Sequence, residues 1–158
     1  MIHHQNKQME MTMTNPEMTY HTNGHIYTIT HRNTYGILHN NMGPAHIQYY
    51  DNGQKEYEQY WVDSNYHNDK GPALIQYSPN GQKSYEGYYK DGNLHNLTGP
   101  AFIKYYKNGK KEYETYYVED KRVDGNKLIQ ELGINTDYTL WSDEEKDMFS
   151  FHLASLYA

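Results

Sequence analysis

The chain has 158 residues, a formal charge of −6 and no cysteine. That length suits one domain with a modest core, the missing thiols exclude a disulfide framework and a thiolate zinc site, and the charge has the wrong sign for a general nucleic-acid binder. Nineteen tyrosines stand against three phenylalanines and two tryptophans, so the core must come from rings that bury area while keeping a hydroxyl wet or partnered.

In chain order, residues 1–18 carry no secretory-type apolar stretch and are expected to be a flexible segment. No run of about 20 apolar residues occurs anywhere, which excludes a membrane-spanning helix and points to a cytoplasmic protein. Residues 19–37 read as a degenerate repeat at the N-terminal end: Tyr20–Gly24 echoes a hairpin turn, and His25–His31 alternates like a strand. Residues 38–121 then hold three ungapped copies of a 28-residue unit. Leu38-His39-Asn40-Asn41-Met42-Gly43-Pro44-Ala45 returns as Tyr66-His67-Asn68-Asp69-Lys70-Gly71-Pro72-Ala73 and as Leu94-His95-Asn96-Leu97-Thr98-Gly99-Pro100-Ala101. Such a period marks a stacked array of supersecondary units.

Within a copy, Ala45–Tyr50 alternates as a strand, and Asn52-Gly53 supplies the positive-φ residues of a tight hairpin turn. Lys55–Val62 returns, rich in aromatic residues that suit a pleated surface. One face is expected to carry Ala45, Ile47, Tyr49, Tyr57 and Trp61 with their equivalents, packed. The other is expected to carry Glu58 and Tyr60 with theirs, plus Tyr50 and Tyr106. After Lys121 the pattern becomes helical. Residues 126–132 predict a short helix ending at Gly133, and Ser142-Asp143-Glu144-Glu145 is a capping box opening a helix over 143–157. That helix has an apolar stripe of Met148, Phe149, Leu153 and Leu156. The fold class expected is therefore mainly β, a single-layer antiparallel hairpin array, with residues 122–158 as a helical C-terminal cap on the last repeat.

Three residue sets raise questions of chemistry. His39, His67 and His95 recur at one position, but successive copies would space them about 9–10 Å apart, too far to share an ion; hydrogen bonding within each turn is the expected role, and no metal or cofactor is expected. Glu58, Glu86 and Glu114 are candidates for acid–base work, yet Lys55, Lys83 and Lys111 lie nearby as partners, so a solvated charged stripe is expected. The tyrosines either pack as cross-strand pairs or form a recognition surface of rigid rings. Candidate partner-binding residues are Tyr50, Glu58, Tyr60, Glu86, Tyr88, Tyr106, Glu114 and Tyr116. No nucleophile elbow, phosphate-binding loop or dinucleotide fingerprint appears, so no catalytic residue is assigned.

The run Tyr85-Glu86-Gly87-Tyr88-Tyr89-Lys90-Asp91-Gly92-Asn93-Leu94-His95 resembles the MORN repeat, and the longer unit with its Gly-Pro-Ala is similar to MORN variants of giant viruses, phages and bacterial antitoxin-like proteins. The resemblance spans about residues 20–121. Gln59 and Thr115 stand where the second copy has Gly87, and Asn follows each recurring His. The resemblance implies a hairpin scaffold for interactions, with lipid binding proposed for some members and enzyme activity residing in attached domains. The excess of Asn, Lys, Tyr and Ile fits an AT-rich genome, which bears on origin and not on mechanism. The function expected is a non-enzymatic protein-interaction module acting on a host or viral protein, with inhibition of a host defence factor as its sharper form. A self-assembling component, and a hydrolase or nuclease using the Glu and His ladders, are the alternatives. Nucleic acid is disfavoured by charge.

Overall fold

The computed structural model describes residues 14–155. Most of the segment expected to be flexible lies outside the described residues, but its end does not: strand β1 (Glu17–Tyr20) already includes residues 17 and 18. The chain continues through β2 (Ile26–Thr30), β3 (His46–Tyr49), β4 (Lys55–Gln59), β5 (Trp61–Val62), β6 (Asn65–Tyr66) and β7 (Leu74–Tyr77). Next come β8 (Lys83–Gly87), β9 (Tyr89–Lys90), β10 (Asn93–Leu94), β11 (Phe102–Tyr105), β12 (Lys111–Val118) and β13 (Lys121–Val123). Two helices close the chain, α1 (Gly125–Leu132) and α2 (Asp143–Ser155), with a 3-10 turn at Tyr138–Leu140 between them.

Nine strands form one open antiparallel meander in the order β1-β2-β3-β4-β7-β8-β11-β12-β13, and the pairs β5-β6 and β9-β10 are small hairpins at its side. Each full copy contributes one long hairpin and one short one. The mainly β array with a helical C-terminal cap is the architecture that the repeat pattern predicts.

The long hairpin turns differently from expectation. Asn52 does not take a positive φ; Gly53 does, at 82°, and so do Gly81 and Gly109. Gly53 N–H donates to the Tyr50 carbonyl and Tyr50 N–H to the Gln54 carbonyl, a three-residue loop with a bulge. Gln48 then pairs with Tyr57 and Tyr49 with Lys55, leaving Glu56 as the extra residue. A one-residue slip moves every side chain of a strand to the other face. The facial assignment is corrected accordingly. Ile47 faces Glu58, as Ile75 faces Glu86 and Ile103 faces Glu114. Tyr57, Gln59 and Trp61 belong to the opposite face. The turn's Asn52 works through its side chain, accepting from Gln54 N–H and donating to the Pro79 carbonyl of the next copy.

The short hairpins hold the paired positive-φ residues. Asp63 and Ser64 lie at φ 50° and 67°, Asp91 and Gly92 at 50° and 87°, and Glu119 and Asp120 at 50° and 63°, as a two-residue type I′ turn requires. The His-Asn-x-x-Gly-Pro segment is a closed loop. The Asn40 side chain donates to the Pro44 carbonyl at 3.0 Å and accepts from Met42 N–H at 2.9 Å, and Asn68 and Asn96 repeat both bonds. Each loop delivers a fully buried alanine (Ala45, Ala73 or Ala101) into the next strand.

Asp124 stands where a fourth asparagine would, and its carboxylate instead caps α1 by accepting from Lys127 N–H at 3.1 Å. Gly133, at φ 66°, ends that helix. The capping box closes reciprocally, Ser142 N–H to Glu145 Oε2 and Glu145 N–H to Ser142 Oγ. Leu128, Ile129, Trp141, Phe149 and Leu153 then pack on Tyr116, Val118 and Val123 of the last hairpins, forming the one conventional apolar cluster among the described residues.

Candidate functional site

Glu58 and Glu86 are not part of a solvated stripe: they are 8% and 4% exposed. The bulge is the reason. Residues three apart on a regular strand point to opposite faces, but the extra Glu56 brings Lys55 onto the face of Glu58, where Nζ lies 2.5 Å from Oε1. The other carboxylate oxygen accepts from Tyr77 Oη of the next copy at 2.5 Å. Glu86 is held likewise by Lys83 and by Tyr105 Oη. Burial, and then the bond to Glu58, push the Tyr77 phenol up from its ordinary value; Tyr105 is raised in the same way over Glu86. Each such unit joins adjacent copies, and its charge-assisted bonds offset the desolvation of the carboxylate. In the last copy Glu114 pairs with Lys111 at 3.0 Å and takes its phenol from Tyr116, also at 3.0 Å.

The other candidates separate. Tyr116 is 2% exposed beneath the helical cap, so it offers no free surface. Tyr50 donates to the Tyr77 carbonyl at 2.9 Å and ties neighbouring turns together. Tyr106, its equivalent two copies on, is exposed. Tyr60 and Tyr88 sit half-buried in grooves beside the Gly-Pro loops. Burial first, and then Glu86, push the Tyr88 phenol up to about 12.

The histidines fasten turns. His39 Nδ1 lies 3.2 Å from Asp63 N and 3.0 Å from its Oδ1, and His67 Nδ1 lies 3.2 Å and 2.9 Å from the same atoms of Asp91. In the third copy that aspartate is Glu119, and His95 Nδ1 is buried with no hydrogen-bond partner. Burial holds the His95 imidazole below its ordinary value, with Lys90 adding to the effect. Among the described residues no group of three or more His, Asp and Glu side chains is placed to hold a metal ion, and no helix is long and apolar enough to cross a membrane.

A continuous row of half-buried aromatic rings, ending at the exposed Tyr113, was not singled out by sequence reasoning. On the face opposite Ile47 and Glu58, ring centroids succeed one another from Trp61 to Tyr66 at 3.9 Å and from Tyr66 to Tyr89 at 5.1 Å. The Tyr89 and Tyr85 hydroxyls meet at 3.4 Å, Tyr85 meets Phe102 at 4.6 Å, and Phe102 stacks on Tyr113 at 5.5 Å. Lys104 Nζ lies 5.7 Å from the Tyr113 ring. Gly87 makes this possible, because a Cβ there would lie 2.7 Å from Tyr89 and 2.9 Å from the Tyr85 hydroxyl. The helices lie against the other face, through Tyr116 and Val118. The signal was present in the positions 57, 61, 85, 89 and 113, but their face was misassigned by the missed bulge.

Comparison with family models, with curated proteins and with solved structures returned no match.

Proposed function

We propose that the chain is a non-enzymatic protein-interaction module whose recognition surface is the aromatic row from Trp61 to Tyr113. The observation that carries this reading is the continuity of that row: six rings in succession, linked by ring contacts and one hydroxyl pair across nearly two repeat lengths, on the sheet face away from the helices. Rigid rings give contact area at low entropy cost, and Tyr and Trp are the side chains that dominate protein interfaces. The engagement of the glutamates by lysine and tyrosine, and of two histidines by aspartate, favours structural roles for the residues that a hydrolase would need. The likeness to MORN-type scaffolds of viruses and phages agrees, and the sharper reading of a viral or phage protein directed at a host factor rests on it.

Affinity capture from host lysate, with nuclease treatment, tests this. A single stoichiometric protein should be retained by the wild type and lost by a Tyr66→Ser/Tyr113→Ser variant that melts within a few degrees of it. Recovery of the bait alone, or of a nuclease-sensitive partner, would overturn the reading. A second reading, self-assembly, is favoured by β1, which is exposed at all four residues and forms one edge of the sheet. It requires a mass that grows with concentration in light scattering and stays monomeric for Thr19→Pro.

A further inference from the structure

The 28-residue period repeats one groove beside each Gly-Pro loop, and in the third the chain itself covers the Gly99 side, leaving a cleft of about 340 Å³ between Tyr116 and the start of α1. The third lies between the Asn96–Pro100 loop and the start of α1, with Tyr116 and Val118 as its floor. Into it goes the segment Asp137-Tyr138-Thr139-Leu140-Trp141. The Tyr138 ring lies so close to Gly99 that a Cβ there would be 3.0 Å away. Lys111 Nζ sits 4.8 Å from the Tyr138 centroid and 3.8 Å from the Asp137 carboxylate. Trp141 follows, 4.6 Å from Phe149, which in turn meets Tyr116 at 5.7 Å.

Fifty-six residues earlier, the first groove repeats these features in register. Gly43 and Pro44 correspond to Gly99 and Pro100, Tyr60 and Val62 to Tyr116 and Val118, and Lys55 to Lys111. The cleft between the Asn40–Pro44 and Asn68–Pro72 loops has a volume of about 630 Å³, lined by Gly43, Pro44, Tyr60, Val62, Gly71 and Pro72 among others, within the range of roughly 300–1,000 Å³ typical of ligand clefts. Met42, on its rim, is 95% exposed. The middle groove is smaller, about 330 Å³, and has Lys90 where the other two have valine.

We propose that the first groove docks a segment of a partner protein carrying an acidic residue, a tyrosine directly after it and a second aromatic three residues further on, the chemistry with which residues 137–141 occupy the third groove. The tyrosine lies over Gly43, its preceding carboxylate meets Lys70 on the cleft wall, because Lys55 is held by Glu58, and the second aromatic covers Tyr60 and Val62. The chain's own occupant is committed elsewhere, because Trp141 and Phe149 are buried in the cap; a second copy is excluded for the same reason. Residues 1–13 contain no Tyr, Trp or Phe. This site is separate from the aromatic row and goes beyond it.

The test uses the full chain and displayed 16-residue peptides with a fixed Asp-Tyr-x-x-Trp core and randomised flanks, against an Asn-Ala-x-x-Ala library. The first library should enrich, and the enriched peptides should bind Val62→Lys at least tenfold more weakly. That substitution reproduces the second copy's Lys90, a residue this hairpin already accommodates, and thermal melting checks that the variant folds. Tyr66→Ser/Tyr113→Ser should bind them within twofold of wild type. Absence of enrichment, or peptides that bind Val62→Lys as tightly as wild type, overturns the groove. A lysate partner lost with the row variant would in that case leave the interaction-module reading standing.

Discussion

Glu86 shows at the scale of one residue how a polar chain makes an interior. Its side chain is 6% exposed and takes bonds from Lys83 and Tyr105, while Glu114, at 18%, sits at the array's end. Glu86→Ala strands a buried phenol and an ammonium, so it should cost about 1–3 kcal/mol in urea denaturation; Glu114→Ala should cost less than about 1 kcal/mol. Equal losses would mean that burial does not set the value of this unit. His95 supplies the converse case, a site where the repeat is incomplete. Its folded-state imidazole titrates below the ordinary 6.5, so as pH falls through 6.5 the unfolded chain binds a proton first and stability drops. Glu119→Asp restores the partner that His39 and His67 have. It should raise the His95 pKa in an NMR titration, reduce that acid loss, and add about 0.5–1 kcal/mol at neutral pH. An unchanged His95 titration would show that the aspartates of the first two copies do not act through the ring.

At the scale of elements, the cap is anchored by a close approach. A Cβ at Gly125, the first residue of α1, would lie 2.2 Å from the Tyr116 ring. Alanine is worth about 1 kcal/mol over glycine within a helix, yet here overpacking of about 1–3 kcal/mol opposes it, since the Tyr116 ring is buried and also packs against Phe149 at 5.7 Å. Gly125→Ala should therefore lower the melting temperature and, in a Trp61→Phe background, shift Trp141 emission to the red. A rise in stability would mean that Tyr116 relaxes freely. The elements themselves were legible: identical residues 28 apart demand identical surroundings, and Ser142 with Glu145 announces the start of α2. The side of the sheet was not. Alternation separates the two faces of one strand, but it cannot say which face of the next strand joins them, and the bulge at Glu56 decides that. Hence Glu58 and Tyr60 were assigned to the solvent face and Tyr57 and Trp61 to the packed one. Tyr116 was missed as buried because nothing in its own copy distinguishes it from Tyr60; the difference comes from Tyr138, Trp141 and Phe149, more than 20 residues on.

Across the whole molecule, phenols reinforce the backbone ladders β4–β7 and β8–β11 that join successive copies. Tyr77 and Tyr105 bridge one copy's strand to the preceding glutamate, Tyr50 ties turn to turn, and Tyr85, Tyr88, Tyr116 and Tyr138 are buried enough that all resist ionisation. A core of leucine and valine is indifferent to alkali; this one is not. Tyr88 holds its proton up to about 12, whereas in the unfolded chain the phenol titrates at its ordinary value of 10.0. Between those values the unfolded state binds fewer protons than the native state, so stability falls as pH rises, and the contribution is complete only below 10. The other raised tyrosines act in the same direction, and their distribution over every copy makes the loss shared by the array. Alkaline titration should show phenolate absorbance rising in two stages, the second coinciding with the collapse of near-UV circular dichroism. Tyr88→Phe should make the decline in stability above pH 10 shallower. A single ionisation step near 10 with tertiary structure intact would show that the phenols are less enclosed than their bonds to Glu58 and Glu86 require, and that the array coheres without them.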